Sequence, residues 1–385
     1  MKFYPANRRS DYLAVAVTLI ATFLLSCINL YPARDPEPGT KERAIVLSVD
    51  NRDLTTLGLL TTGSQRLELR ILSGKFAGKT FPAVNQLRAN MELDKSFVVG
   101  NTVLAAVPHD AVPGETVLNA QDHYRIANTA ILFGLFVLLL LCFGGLTGAK
   151  ALVSFLFCCA VIWKLVVPLC LQGYHAVWIS VAAVSVLTVV ILLLVAGCNR
   201  KGFAACAGAM LGVLFTGAMA QLFTGLFHIN GAVMPYSQAL LYSGFDMLNL
   251  PQIYVGAIIL AASGAVMDLG MDVAAGMQEV CNHRPDISRK ALTFSGIRIG
   301  QSVVGTMTTT LLLAYSGGYL TLMMAFAAQG VHPVDFINNP HVASETVKTI
   351  IGSFGLVLVA PFTALAGGFL IRPESGQKNT AATEE

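Results

Sequence analysis

The feature that most limits what this chain can become is a series of apolar runs, each roughly 17 to 25 residues long and nearly uncharged, the length a helix needs to cross a hydrocarbon core. About eight can be placed by this criterion, near Tyr12–Ile28, Ala127–Phe143, Ala151–Leu171, Val177–Val195, Phe203–Phe227, Ile253–Asp272, Gly296–Tyr315 and Val347–Leu370. The runs lack the alternation of a membrane barrel, and a helix satisfies its backbone polar groups within one segment. Composition agrees, since only 12% of the 385 residues are charged and 55% are hydrophobic. Soluble domains carry about 25% charged residues. The expected fold class is therefore a polytopic α-helical membrane protein with about eight transmembrane helices.

Charge distribution orients it. Short connections carry Lys2, Arg8, Arg9, Lys150, Arg200, Lys201, Arg284, Arg289, Lys290, Arg372 and Lys378. With the N-terminus inside, these fall on one side, whereas 172–175 and 228–250 hold no Lys or Arg. This positive-inside pattern places both termini in the cytoplasm. All 8 Cys lie in or beside the apolar runs, so neither a disulfide framework nor a Cys metal site is expected. The His residues show no metal-ligand spacing either, so no metal and no cofactor is expected.

Residues 1–30 read as a signal-anchor helix. Leu24-Leu25-Ser26-Cys27 resembles a lipoprotein cleavage box, but an uncleaved anchor is the simpler reading because further spans follow. Between 31 and 125 the character changes. A Pro-rich linker, YPARDPEPG, precedes short alternating runs such as RLELRILSG, which puts Leu67, Leu69 and Ile71 on one face, with Gly74, Gly78, Gly100 and Gly114 as turns. These predict a small extracytoplasmic β-rich domain, with an OB-like topology as the candidate, between the first and second helices. Balanced charge and few aromatics argue against nucleic acid as a partner. A membrane domain of about seven helices follows at 126–371, and 372–385 forms a cytoplasmic polar tail.

One stretch, SGAVMDLGMDVAAGMQEV from Ser263 to Val280, carries acids where lipid is expected. Residues four apart share a helix face, so Gly264, Asp268, Asp272, Ala275 and Glu279 form one stripe. An ionisable group at this depth is a functional-site hypothesis. The next span, SGIRIGQSVVGTMTTTLLLAY, offers Arg298, Gln301, Ser302, Gly305, Thr306 and Thr309. An antiparallel hairpin between them predicts an Asp272–Arg298 ion pair, Asp268 level with Gln301 and Ser302, and Gly264 level with Thr306. The candidate solute or ion site is then Asp268, Asp272, Gln301, Ser302 and Thr306. Asp272 with Arg298 also reads as a purely structural clamp. Gly264, Gly300, Gly305 and Gly352 are candidate packing positions and Pro361 a kink. Glu345 and Lys348 read as a solvated i,i+3 pair, and GGYLTLMMAFAAQG as a re-entrant segment. Gly208 and Gly212 have the spacing of a helix-dimerisation motif.

Three blocks, SGAVMDLGMDVAAGMQEV, SGIRIGQSVVGTMTTTLLLAYSGGYL and ETVKTIIGSFGLVLVAPFTALAGG, resemble in order and spacing those of the YibE/F family of bacterial multi-pass membrane proteins. The resemblance implies an integral cell-membrane protein and supplies no activity. By position it carries over to Gly264, Met267, Asp268, Glu279, Gly296, Gly300, Gly305, Thr306, Met307, Ala314, Tyr315, Glu345, Gly352, Ser353 and Pro361. The chain departs from the family at Gly300-Gln301-Ser302, where members resemble Gly-Arg-Asp, and at Arg298, where a neutral polar residue is usual.

Three functions are open. A permease or transport component for a small solute or ion would use the intramembrane carboxylate. A non-catalytic scaffold would bind an extracytoplasmic protein partner through its β domain, and an exposed apolar patch there would favour it. An intramembrane hydrolase fits poorly, because both Asp lie on one helix and no His falls at membrane depth. Membrane lipids surround the protein in every case.

Overall fold

The computed structural model describes residues 8–32 and 39–371. Lys2, the polar tail 372–385 and most of the Pro-rich linker lie outside the described residues. The chain divides into two compact units, 33–142 and 1–32 with 143–385.

The first unit is built on six strands, β1 Gly39–Asp50, β2 Leu54–Leu57, β3 Leu60–Ile71, β4 Thr80–Arg88, β5 Thr102–Pro108 and β6 Leu118–His123. β1 pairs antiparallel with both β3 and β5, β5 with β6, and β3 with β4, while β4 and β6 run parallel, so five strands close a ring. β2 extends it as a hairpin with β3. Period-2 alternation explains the interior: Leu67, Leu69 and Ile71 point inward, joined by Phe81, Phe97, Val103, Ala105 and Leu118. Gly74, Gly78, Gly100 and Gly114 all adopt positive φ at turns.

Two polar side chains, Gln65 and Asn85, are buried in this unit, and they bond to each other. Gln65, 1% exposed, donates from Nε2 to Asn51 Oδ1 and the Phe97 carbonyl, both at 2.9 Å. Its Oε1 accepts from the Phe97 N–H at 3.0 Å and Asn85 Nδ2 at 3.1 Å. The network ties the 89–101 loop to the barrel at no desolvation loss.

The rest of the chain is helical, and residues 126–142 of its second helix group with the first unit. In chain order the helices are α1 Arg8–Cys27, α2 Ile126–Val161, α3 Val167–Leu171, α4 Ala176–Ala196, α5 Arg200–Leu226, α6 Ser237–Tyr242, α7 Leu250–His283, α8 Arg289–Gly318, α9 Leu320–Ala328, α10 Pro333–Asn338 and α11 Pro340–Leu370. A π-helical turn, Ile162–Val166, joins α2 to α3. Among the described residues, five helical segments are long and apolar enough to cross a membrane: Ile126–Leu171, α4, α5, α7 and α11. α8 with α9 makes a sixth if this pair, bent by 61°, counts as one span. The expectation of about eight spans differs for two reasons. α1 offers only the shorter stretch Tyr12–Cys27, and two expected spans lie in one segment of 46 residues, Ile126–Leu171. That segment is broken at Gly145, whose φ of 51° and ψ of −125° leave the helix.

α7 is the hub, buried between α4, α5, α8 and α11. Small residues permit the contacts. A methyl group at Gly208 would overlap Thr363 of α11, one at Gly355 would overlap Thr216 of α5, and one at Gly256 would meet Ser180 of α4. Gly208 and Gly212 are therefore used within the chain and not between copies. α11 continues through Pro361, whose missing N–H frees the carbonyl of Val357.

Candidate functional site

Helical periodicity places Gly264, Asp268, Asp272, Ala275 and Glu279 on one stripe of α7, and every one of them is exposed. Arg298, Gln301, Ser302, Gly305, Thr306 and Thr309 are likewise exposed on α8. The Ser302 and Thr306 hydroxyls donate to their own helix, to the carbonyls of Ile299 at 2.7 Å and Val303 at 2.9 Å. Glu279 pairs with His283 at 3.4 Å.

The register between the two helices differs from the sequence expectation. α8 meets α7 where Gly276 faces Ile299, Gly296 faces Met277 and Gly300 faces Val273. At antiparallel pairing this puts Asp272 level with about 301–303 and Asp268 with about 305–307, roughly one turn along from expectation. Arg298 lies about a turn nearer the hairpin connection. Among the described residues no ion pair within 4 Å joins Asp272 to Arg298, so the expected clamp is absent within the chain. The cause is packing. Gly296 and Gly300 seat α8 against Met277, Ala364 and Ala360, and those apolar contacts set the register. A Cβ at Gly300 would meet Ala360 and Val273, and one at Gly352 would meet Leu311 and Ala262. Gly264 and Gly305 meet nothing within 4 Å, so they pack against nothing in their own chain.

Stepping 100° per residue around each helix, Asp268, Asp272 and Glu279 lie on the same side of the α7–α8 contact line as Arg298, Ser302, Thr306 and Thr309. Gly300, on the other side of α8, rests on Ala360 of α11. Gln301 turns away from the acidic stripe. The structure thus brings together on one face four of the five residues expected to form the solute site.

A second cluster lies where α8, α9, α10 and α11 meet. The 61° bend between α8 and α9 folds the apolar segment after Tyr319 back, and Phe326 stacks edge-on against Phe336 of α10 at 5.6 Å. The bend leaves a half-open cavity of about 310 Å³ lined by Tyr315, Tyr319, Leu322, Phe336, Glu345 and Ile350. Glu345 lies in its wall with 15% of its side chain exposed, and Lys348 Nζ stands 3.6 Å from its Oε1. The Lys348 ammonium is 5.2 Å from the Tyr315 ring centroid. The other carboxylate oxygen, Oε2, is buried and no group meets it at full hydrogen-bond geometry, while the Tyr319 hydroxyl lies within reach of the carboxylate. Next to it, Tyr254 donates to the Ser344 carbonyl at 2.5 Å.

This pair was expected to be solvated, and burial by α9 and α10 corrects that. One signal pointed to it: Tyr315 and Glu345 both stand among the positions carried over from the family resemblance. Chemically, a carboxylate with one weakly engaged oxygen beside aromatic rings suits a cationic or hydrogen-bond-donating group. Among the described residues no three His, Cys, Asp or Glu side chains converge as a metal-binding group.

Comparison with curated proteins and with solved structures found no match. The family model described as YibE/F-like protein matches residues 132–373, which include both clusters. The match covers most of the chain, and this protein belongs to the YibE/F-like family.

Proposed function

We propose that this membrane protein is a permease or transport component that carries a small cationic solute or ion past membrane-embedded carboxylates. One observation carries the reading: Glu345, with a buried oxygen that no group meets at full hydrogen-bond geometry, lines a half-open cavity of about 310 Å³ beside Tyr319. An unsatisfied buried acceptor costs roughly 1–3 kcal/mol, and a bound cation or donor would remove that cost. Asp268 and Asp272, with Ser302 and Thr306, supply further polar groups along the spans and extend the reading from the outer end of α11 towards the inner end of α7.

Finer features belong to the same proposal. About eight spans result if α1 crosses, the segment broken at Gly145 crosses twice and α8 with α9 crosses once. Both termini then lie in the cytoplasm of a bacterial inner membrane, with 31–125 outside. An OB-like assignment for the β unit is supported by its ring order and single parallel pair.

The test is thermal unfolding of the purified chain with alkali, divalent and organic ammonium cations, beside Glu345→Gln. The expected result is a cation that stabilises the parent and not the variant. The proposal fails if no cation shifts either protein.

A second reading, a scaffold docking an extracytoplasmic protein, is favoured by one observation. The β2–β3 hairpin exposes Leu57, Leu59 and Leu60, and Met91 lies beside them. A photo-crosslinker at Leu59 in cells should then give one defined adduct.

A further inference from the structure

The face shared by α7 and α8 poses a problem that the chain does not solve alone. Asp268 and Asp272 lie in a span, they are exposed, and an ion pair for either is absent among the described residues. Lipid cannot cover them cheaply. Arg298, on the same face, is also exposed and unpaired among the described residues. Acid on one helix and base on its neighbour, both unsatisfied, make a self-complementary surface.

We propose that a second copy of this chain covers this face, through a two-fold axis along the membrane normal. Such an axis beside an antiparallel pair sets α7 of each copy against α8 of the other at equal depth. Asp268 then meets Thr306 and Gly305 of the second copy. Asp272 meets its Ser302, with its Arg298 about one turn towards the cytoplasm and long enough to reach the carboxylate. Open space at Gly264 and Gly305, which pack against nothing in their own chain, lets the backbones approach. Gly208 and Gly212, the more obvious dimer motif, are already filled by α11 and α7 side chains. The charges settle the orientation, since turning one copy over would oppose acid to acid. This pairing stands independently of any solute at Glu345.

The experiment is energy transfer between differently labelled copies of the full chain in phosphatidylethanolamine–phosphatidylglycerol vesicles, diluted with lipid. The parent should dimerise. Asp272→Arg and Arg298→Asp should each weaken association at least tenfold, and the double charge swap should restore it. Melting curves of each variant, together with a disulfide between Asp268→Cys on one tagged copy and Thr306→Cys on another, keep the result readable if a single variant folds poorly. A parent that remains monomeric overturns the proposal and leaves the face to lipid headgroups or a different subunit. Single variants that associate as tightly as the parent, or a double swap no better than either, overturn it too.

Discussion

Replacing Lys348 by Met isolates the energetics of the cavity carboxylate. At the 3.6 Å separation from Glu345, two unit charges attract by about 1 kcal/mol in water and about 4–5 kcal/mol at an effective dielectric of 20. Side-chain exposures of 28% for Lys348 and 15% for Glu345 place the pair between these limits. Desolvation takes back much of the attraction, leaving a coupling of about 1–3 kcal/mol. Lys348→Met should therefore cost about 2 kcal/mol by stranding the buried carboxylate, a fall of roughly 4–8 °C in melting temperature. Glu345→Gln leaves the ammonium its place near the Tyr315 ring and should cost less, about 1 kcal/mol. The double variant, a neutral amide beside a thioether, should melt close to the parent. The assay is a double-mutant cycle by calorimetry or fluorescence in one detergent at one pH. A coupling below about 0.5 kcal/mol, within the range of exposed pairs, would refute the buried pair and with it the cavity's electrostatic character.

Three further outcomes follow from the packing. Gly208→Ala drives a methyl into the Thr363 backbone and should destabilise by about 1–3 kcal/mol. Gly225→Ala meets nothing and should be neutral or stabilise by up to about 1 kcal/mol; equal melting of the two would contradict the α5–α11 approach. Gln65→Leu removes the partners of Asn85 and the Phe97 N–H and should cost about 2–4 kcal/mol, read as faster hydrogen exchange in β3 and β4 of the full chain. Burial pushes the Asp122 carboxyl up, but hydrogen bonds from Arg125 and the His123 N–H and the charge of Lys95 outweigh it and hold it below the usual range. Its contribution, about 0.5–1 kcal/mol for a partly exposed cluster, is present above the ordinary carboxylate pKa and lost as pH falls through the lowered one. β6 exchange should accelerate below about pH 4, and Asp122→Asn should flatten that profile.

Much of the architecture was legible because it rests on local periodicity. Alternation named the inward face of β3, and four-residue spacing named the stripe Gly264, Asp268, Asp272. What local pattern cannot carry is a choice among long-range pairings. Ring closure depends on the parallel pairing of Ala83 and Val84 with Leu118 and Asn119, which no alternation specifies. The α7–α8 register was read by matching polar groups, whereas Gly296 and Gly300 fix it from the apolar side against Met277, Ala360 and Ala364. Glu345 looked solvated because Lys348 stands three residues on, the spacing of an exposed helix pair. Its burial comes from the back-folded α9 and from Tyr315, thirty positions earlier.

The break at Gly145 reaches beyond its own geometry. A straight helix of 46 residues would measure about 69 Å at 1.5 Å per residue, against a hydrocarbon core of about 30 Å. Length alone would allow such a segment one crossing or two. Under the proposed topology of about eight spans, every later connection takes its side of the membrane from the backbone at Gly145, a residue without a side chain. Under that topology, a helical backbone at Gly145 would merge two crossings into one and present the 197–200 and 284–288 loops to the opposite compartment.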